Sequence, residues 1–234
     1  MYETSFGFTR PPFTDPDAAD FQPFGAQAAV LAELREALEA GAALIVLSGP
    51  VGTGKTTLLR RELGLPDPRR HAVLFWNAHV GFDDLLNYLG DDLGLRAPGT
   101  SRAERIKALR TALVRGLAEG WTLLIAVDDA QNLPAETLAG LHALLDLREV
   151  GRGLVQVLLC GQPELQQQLA HDPKLTEHPP RRLNLRTLDA AESAAFIAAR
   201  LAAAGRPGAE LFDAEALVRI HELAHGVPRL LNRI

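Results

Sequence analysis

Eight residues, Gly49-Pro50-Val51-Gly52-Thr53-Gly54-Lys55-Thr56, constrain what this chain can fold into more than any other stretch. The apolar run Leu44-Ile45-Val46-Leu47 ahead of them reads as a buried strand, and Thr57 to Leu63 behind them reads as a helix. The glycines at 49, 52 and 54 let the backbone turn tightly between the two. Loop N–H groups and the positive helix N-terminus can then surround phosphate oxygens. Gly49 through Thr57 form such a cradle, with Lys55 reaching the β- and γ-phosphates and the Thr56 hydroxyl offered to Mg²⁺. A chance glycine turn before a lysine is the alternative, and the strand and helix on either side argue against it.

A second motif depends on the first. Thr122 to Val127 is a wholly apolar strand ending in Asp128-Asp129. A strand delivering carboxylates at its C-terminal tip is the Walker B arrangement, in which the first acid holds Mg²⁺ through water and the second polarises the attacking water. Strand-end aspartates are common in isolation. They gain meaning beside a phosphate loop, since one sheet edge hosts both motifs in doubly wound folds.

The 234 residues, 47% hydrophobic, allow one large domain or a core with a small appendage. A net charge of −5 and a pI near 5.8 give no global attraction to nucleic acid or anionic membrane, so any such contact needs a local basic patch. Arg102, Arg105, Lys107, Arg110 and Arg115 lie along one predicted helix but not on one face, which reads as a solvated surface. The single Cys160, ending an apolar run, excludes an internal disulfide framework and reads as a small buried residue. No stretch reaches the roughly 18 consecutive apolar residues of a spanning helix, and no signal-peptide pattern opens the chain. The expected setting is cytoplasmic.

Residues 1–24 interleave Phe6, Phe8, Phe13, Phe21 and Phe24 with Pro11, Pro12, Pro16 and Pro23. They are expected to form an extended arm whose phenylalanines pack either near the nucleotide or on a neighbouring subunit. Ala26 to Glu39 has the helical period. Gln27 opens that helix, either contacting an adenine edge or standing exposed. Ala72 to Trp76 reads as a strand ending at Asn77, and Phe82–Leu93 and Arg102–Leu117 as helices separated by Pro98-Gly99, with Thr100 or Ser101 as cap. Pro134 to Leu147 reads as a helix broken by Gly151-Arg152-Gly153, and Leu154 to Cys160 as the next strand. At its tip, Gln162 either senses the γ-phosphate or caps the helix opened by Pro163. Leu183 to Leu185 is a short last strand preceded by Arg181-Arg182, followed by helices over Ala190–Ala204 and Asp213–Ala224 and a third opened by Gly226-Val227-Pro228-Arg229. The expected architecture is α/β: an arm (1–24), a core with a central five-stranded parallel sheet flanked by helices (25–187), and a small all-helical lid (188–234).

With the motifs in this order the chain resembles the AAA+ ATPases, and among them the ExeA/GspA type of general-secretion-pathway ATPase. The strings carrying the resemblance are Phe6-Gly7-Phe8 with Pro12-Phe13, Gly52 through Leu59, Ala130-Gln131-Asn132-Leu133, Gly161-Gln162-Pro163-Glu164-Leu165, and Gly226 through Asn232. The resemblance implies that Lys55 and Thr56 are the Walker A lysine and Mg²⁺ ligand, that Asp128 is the Walker B aspartate, and that Gln162 occupies the sensor 1 position. It places Arg229 in the sensor 2 motif of the lid. It puts Arg181 or Arg182, with Arg182 preferred, where an arginine finger reaches a neighbour's site, which requires a homo-oligomer. ATP and Mg²⁺ are the implied ligands, with a protein partner in envelope or secretion machinery; nucleic acid is not favoured.

Two features depart from that pattern. Asp129 stands where the family carries Glu, so the catalytic carboxylate sits about one methylene short of the water, a retreat of ~1 Å that can cost on the order of 10²-fold. The chain also stops at Ile234 within an apparent lid helix, so the gene product is longer or the lid is minimal. The expected function is an oligomeric Mg²⁺-dependent ATPase that remodels a secretion-type assembly. The alternatives are a DNA-acting transposition regulator of the TniB/TnsC type and a slow-hydrolysing nucleotide switch.

Overall fold

The apolar runs expected as strands pair into one five-stranded parallel sheet in the computed structural model, which describes residues 6–14, 23–95, 101–170, 175, 177–205 and 211–234. Pro16, Phe21, Pro98-Gly99 and Thr100 lie outside the described residues. The elements in order are α1 (Ala26–Glu39), β1 (Leu44–Ser48), α2 (Lys55–Leu63), β2 (Arg70–Phe75), α3 (Phe82–Asp92), α4 (Arg102–Glu119) and β3 (Thr122–Val127). After a 3₁₀ turn (Ala130–Asn132) come α5 (Ala135–Leu145), β4 (Arg148–Glu149), β5 (Arg152–Gly153), β6 (Val155–Gly161), α6 (Pro163–Ala170), β7 (Arg181–Asn184), α7 (Ala190–Ala203), α8 (Ala214–Ala224) and α9 (Pro228–Leu231).

The chain divides into two compact units: a sheet unit of Glu33–Ser48 and Leu65–Asn184, and a loop-and-lid unit of Met1–Ala32, Gly49–Gly64 and Leu185–Ile234. In the sheet unit the strand order is β2-β3-β6-β1-β7. Val46, Val73, Ile125, Val157 and Leu159 belong to one core with Leu85, Leu89, Leu113, Leu141 and Leu144 of the helices. The alternate residues Ile45, Leu47, Leu124, Ala126 and Leu158 are equally buried. Strands covered on both faces cannot alternate polar with apolar, which is why they read as continuous apolar runs. A polar residue within β6, Gln156, is accounted for: its Nε2 donates to the carbonyls of Leu38 (3.3 Å), near the end of α1, and Ala42 (3.1 Å), just beyond it.

Several boundaries differ from the sequence expectation. Strand β2 begins at Arg70, since the turn before it is organised by Asp67, which accepts the Arg69 N–H (2.9 Å) and the Arg70 guanidinium (2.7 Å). Burial alone would raise the Asp67 carboxyl; the Arg69 N–H and the Arg70 and Arg69 guanidiniums outweigh it and pull the pKa down to about 2. Helix α5 runs Ala135–Leu145 with Pro134 as its N-cap. Where Gly151-Arg152-Gly153 was expected only to break that helix, β4 and β5 form a small hairpin. Its turn puts Val150 (φ 49°) and Gly151 (φ 77°) in left-handed conformations, a geometry usually signalled by Asn-Gly or Asp-Gly and concealed here by a β-branched residue. Arg181 and Arg182 lie within β7 rather than ahead of it, because an edge strand with exposed side chains tolerates charge. Ser101, as expected, caps α4 through a capping box with Glu104.

Three of the α4 cations are paired with acids. Asp83 accepts Arg102 (3.0 and 2.5 Å) and Arg105 (2.5 Å), while Arg102 also reaches Glu136 (2.7 Å) and Arg110 reaches Glu149 (3.1 Å). The Arg102 hydrogen bond holds the Asp83 carboxyl below its ordinary range.

In the loop-and-lid unit, α7, α8 and α9 close around Leu188, Ile197, Leu201, Ala224 and Leu231. Phe8 and Phe13 pack on this cluster, so this part of the arm lies on the helical C-terminal part. Backbone bonding explains the choice: Thr9 N–H (2.8 Å) and Oγ1 (3.0 Å) donate to the Ala204 carbonyl, and Arg10 Nε donates to Ala203 (3.1 Å), satisfying carbonyls at the end of α7.

Two helical glycines make opposite predictions. A Cβ on Gly140 in α5 would fall 2.2 Å from the Phe82 ring, whereas one on Gly90 in α3 would meet nothing within 4 Å. Gly90→Ala is expected to stabilise by up to about 1 kcal/mol, and Gly140→Ala to destabilise by about 1–3 kcal/mol despite the same propensity gain. Urea titrations of both variants check this; equal shifts would contradict the packing around Gly140.

Candidate nucleotide site

The phosphate loop belongs to the loop-and-lid unit. Each of its glycines is closely approached by a different segment. A Cβ on Gly49 would lie 2.3 Å from the Leu185 carbonyl oxygen; on Gly52, 2.8 Å from Val227 Cγ1 and 3.0 Å from Arg229 Cβ; on Gly54, 2.7 Å from Gln27 Nε2. Gly52 (φ 81°) and Gly54 (φ 101°) also need the left-handed region. Gly54 is the N-cap of α2 and brings no side chain to cap it, so the first-turn N–H groups face outward from the helix end. Lys55 is 8% exposed, and its ammonium donates to the carbonyls of Gly49 (2.8 Å) and Pro50 (2.9 Å). Thr53 Oγ1 also donates to Pro50 O (2.9 Å), Val51 stands exposed, and Thr56 and Thr57 are half-buried in the first turn of α2. A side-chain-free cradle at a helix N-terminus with a lysine folded over it fits a polyphosphate. A hydroxyl such as that of Thr56 suits Mg²⁺, which is ordinarily held by one or two protein oxygens together with phosphate oxygens.

Gln27 is not exposed. It is 3% exposed, its Nε2 donates to Thr53 O (2.8 Å), and its Oε1 accepts the Phe24 N–H (3.3 Å). Its amide braces the loop backbone from the start of α1.

Arg229 meets the loop through its backbone: its N–H donates to Gly52 O (3.2 Å) while its side chain is exposed. Its position is set by Gly226 (φ 66°), whose Cβ would fall 1.9 Å from the Leu188 carbonyl oxygen and whose own carbonyl accepts the Leu188 N–H at 2.8 Å. The Gly-Val-Pro-Arg string thus carries a glycine for close approach, a proline at the first turn of α9 and an arginine set on the loop.

The strand-end acids and Gln162 belong to the sheet unit. Strand β6 runs between β3 and β1, so Gly161-Gln162 leaves the sheet beside the end of β3. Asp128 is 4% exposed; its N–H donates to Phe75 O (2.9 Å) and its Oδ1 accepts the Asp129 N–H (3.0 Å). Asp129 is exposed and left-handed (φ 51°, ψ 37°), a conformation aspartate tolerates better than most residues. Gln162 is half-buried; its N–H donates to Gln131 Oε1 (3.1 Å) and its carbonyl accepts the Leu165 N–H (3.0 Å) at the head of α6. Gln131 also donates through Nε2 to Asp129 Oδ1 (3.3 Å). Gln131 stands within the Ala-Gln-Asn-Leu string, and its partner 31 positions away has no local signature in the sequence. Arg182 is exposed on β7 opposite Val46 of β1, and Arg181 lies 3.8 Å from Glu36.

The brace between α1 and the lid is electrostatic. Glu192 accepts Arg186 (2.6 and 2.8 Å) and the Asp189 N–H (2.9 Å) at the start of α7, and bonds the Ala26 backbone. The Arg186 hydrogen bonds, followed by that of the Asp189 N–H, hold the Glu192 carboxyl below its ordinary 4.5. A depressed carboxylate contributes stability above its unfolded pKa and loses it as pH falls through the folded value. Glu192→Gln should therefore lower the thermal midpoint at pH 7, with the difference from the parent shrinking below the ordinary 4.5 and vanishing as the pH falls through the lowered folded value. Parallel melts across pH 3–8 check this; a constant difference would remove the carboxylate from the account.

A family model described as AAA domain matches residues 37–169, more than half of the chain. Over its full length the chain is 32% identical to General secretion pathway protein A of Aeromonas hydrophila, and it spans 43% of that protein. Among solved structures, Cdc6p from Pyrobaculum aerophilum superposes with TM-score 0.70 at 18% identity, over 94% of this chain and 62% of that one. The Aeropyrum pernix ORC1 protein, solved in complex with DNA, superposes with TM-score 0.66 at 20% identity, over 96% and 62%. At such identities the likeness is one of fold. The chain belongs to the AAA domain family of P-loop ATPases.

Proposed function

We propose that the chain binds ATP·Mg²⁺ and hydrolyses it, acting as an oligomeric remodelling ATPase on a protein partner in secretion-type envelope machinery. The observation that carries the ATP reading is the Lys55 ammonium, buried at the mouth of a glycine cradle and held by the Gly49 and Pro50 carbonyls. Phosphate oxygens make charge-assisted bonds to an ammonium, so a lysine held at this place suits a polyphosphate. In this reading Thr56 and Asp128 are the Mg²⁺ ligands, Asp129 polarises the water, Gln162 and Arg229 report the γ-phosphate, and Arg182 serves a neighbouring subunit. Mg²⁺ supplies charge neutralisation for the transferred phosphoryl group.

The secretion setting is supported by likeness to General secretion pathway protein A, of which this chain covers less than half. The AAA family membership supports nucleotide turnover in general. A carboxylate shortened to Asp129 supports a slow rate.

Fluorescent-nucleotide titration and steady-state phosphate release test the reading. Lys55→Ala should weaken ATP binding by on the order of 10²-fold, the loss of charge-assisted bonds to phosphate; unchanged affinity would refute the loop assignment. Asp129→Glu should leave affinity within twofold and raise kcat by about 10- to 100-fold. A fall in kcat would show that the site is built around the shorter side chain.

A further inference from the structure

We propose that Gln131 is a positioning residue for the Asp129 carboxylate, anchored on the backbone of the β6 strand end. The inference rests on the ATPase reading above and adds to it a residue whose action passes entirely through another. A backbone N–H can only donate, so the Gln131 atom 3.1 Å from Gln162 N must be the amide oxygen. That settles the amide's orientation and turns Nε2 toward Asp129, whose Oδ1 lies 3.3 Å away. The amide is thus a fixed donor aimed at a carboxylate that is exposed and otherwise free to turn about its side-chain bonds.

Three features hold the donor in place. Gln131 sits in the 3₁₀ turn, closed by Asn132 N–H to Asp129 O (2.9 Å) and Leu133 N–H to Ala130 O (3.1 Å), with Ala130 and Leu133 buried beneath. Gly161 leaves the amide its room: a Cβ there would fall 2.6 Å from Gln131 Oε1. The anchor is the residue that leaves β6, a fully buried strand, so the far end of the relay is rigid. The bridge joins the strand ends that carry Asp129 and Gln162, so a shift of Gln162 moves the donor that orients Asp129.

The test is kcat against nucleotide Kd for the intact chain and for Gln131→Glu and Gln131→Leu, each also combined with Asp129→Asn. Gln131→Glu keeps an acceptor for the Gln162 N–H, and with it the anchor, but faces Asp129 with a carboxylate instead of a donor. Both single variants are expected to lower kcat by about 10-fold or more with Kd within twofold of the parent. On the Asp129→Asn background neither should lower it further, because the residue acts through Asp129. A kcat within twofold of the parent for Gln131→Glu, a loss expressed as weaker binding, or losses that multiply in the double variants would each overturn the role. A parent chain that binds no ATP overturns the underlying reading as well, whereas one that binds but does not turn over removes only the hydrolytic role of Asp129 and Gln131.

Discussion

The close approach of three separate segments to the glycines at 49, 52 and 54 is the contact on which the loop-and-lid unit depends. A loop containing left-handed glycines gives up more conformational entropy on folding than any other stretch of similar length, and it cannot hold itself in one shape. Here the Leu185 carbonyl, the Val227 and Arg229 side chains and the Gln27 amide press on it from different parts of the chain. Only residues without a Cβ let these neighbours come near enough to bond the loop backbone, as Gln27 does at Thr53 O and Arg229 does at Gly52 O. Glycine is therefore required twice over, for its φ and for its missing side chain. The lid helices are part of the same constraint, since α9 starts where Gly226 meets Leu188.

The sheet unit meets a different requirement, that of holding carboxylates at a fixed place. Strands buried on both faces with side chains at 0–3% exposure have no freedom to shift register. A carboxylate at the end of such a strand inherits that rigidity, and Asp128 adds two bonds of its own through its N–H and Oδ1. Asp129 inherits less. It is the first residue beyond the sheet's cover, and its left-handed backbone turns it into the 3₁₀ segment. Order at that position has to come from a neighbour, which is the place Gln131 fills.

What could be read from the sequence follows the same division. The helix over 26–39 and the strand over 122–127 are read to the residue, since hydrophobic period and continuous apolar runs are local properties of the chain. The glycine loop and the acids after β3 are legible for the same reason, as fixed spacings next to recognisable elements. The Gln27 brace spans 26 positions and the Gln131 bridge 31, and neither leaves a periodic trace. Aromatic composition says that Phe8 and Phe13 must be covered without saying by what; the deciding bonds, from Thr9 to Ala204, span 195 positions. The β4–β5 hairpin was hidden by Val150, a residue that turn chemistry would not choose for φ 49°.

The shorter acid at position 129 and the amide at 131 also bear on each other. Aspartate has one fewer rotatable bond than glutamate, so a single fixed donor removes a larger share of its freedom. A glutamate there would reach further, but its carboxylate would move past the 3.3 Å contact that Gln131 now makes. Reach and order are thus traded at one side chain. On the ATPase reading, the chain would hold its nucleotide for longer than a fast motor could, because binding depends on the glycine cradle and Lys55 while turnover depends on the carboxylate. A long-lived bound state suits an assembly whose output is a conformation held for the lifetime of its nucleotide, with Arg229 on Gly52 as the contact through which the lid would register that lifetime.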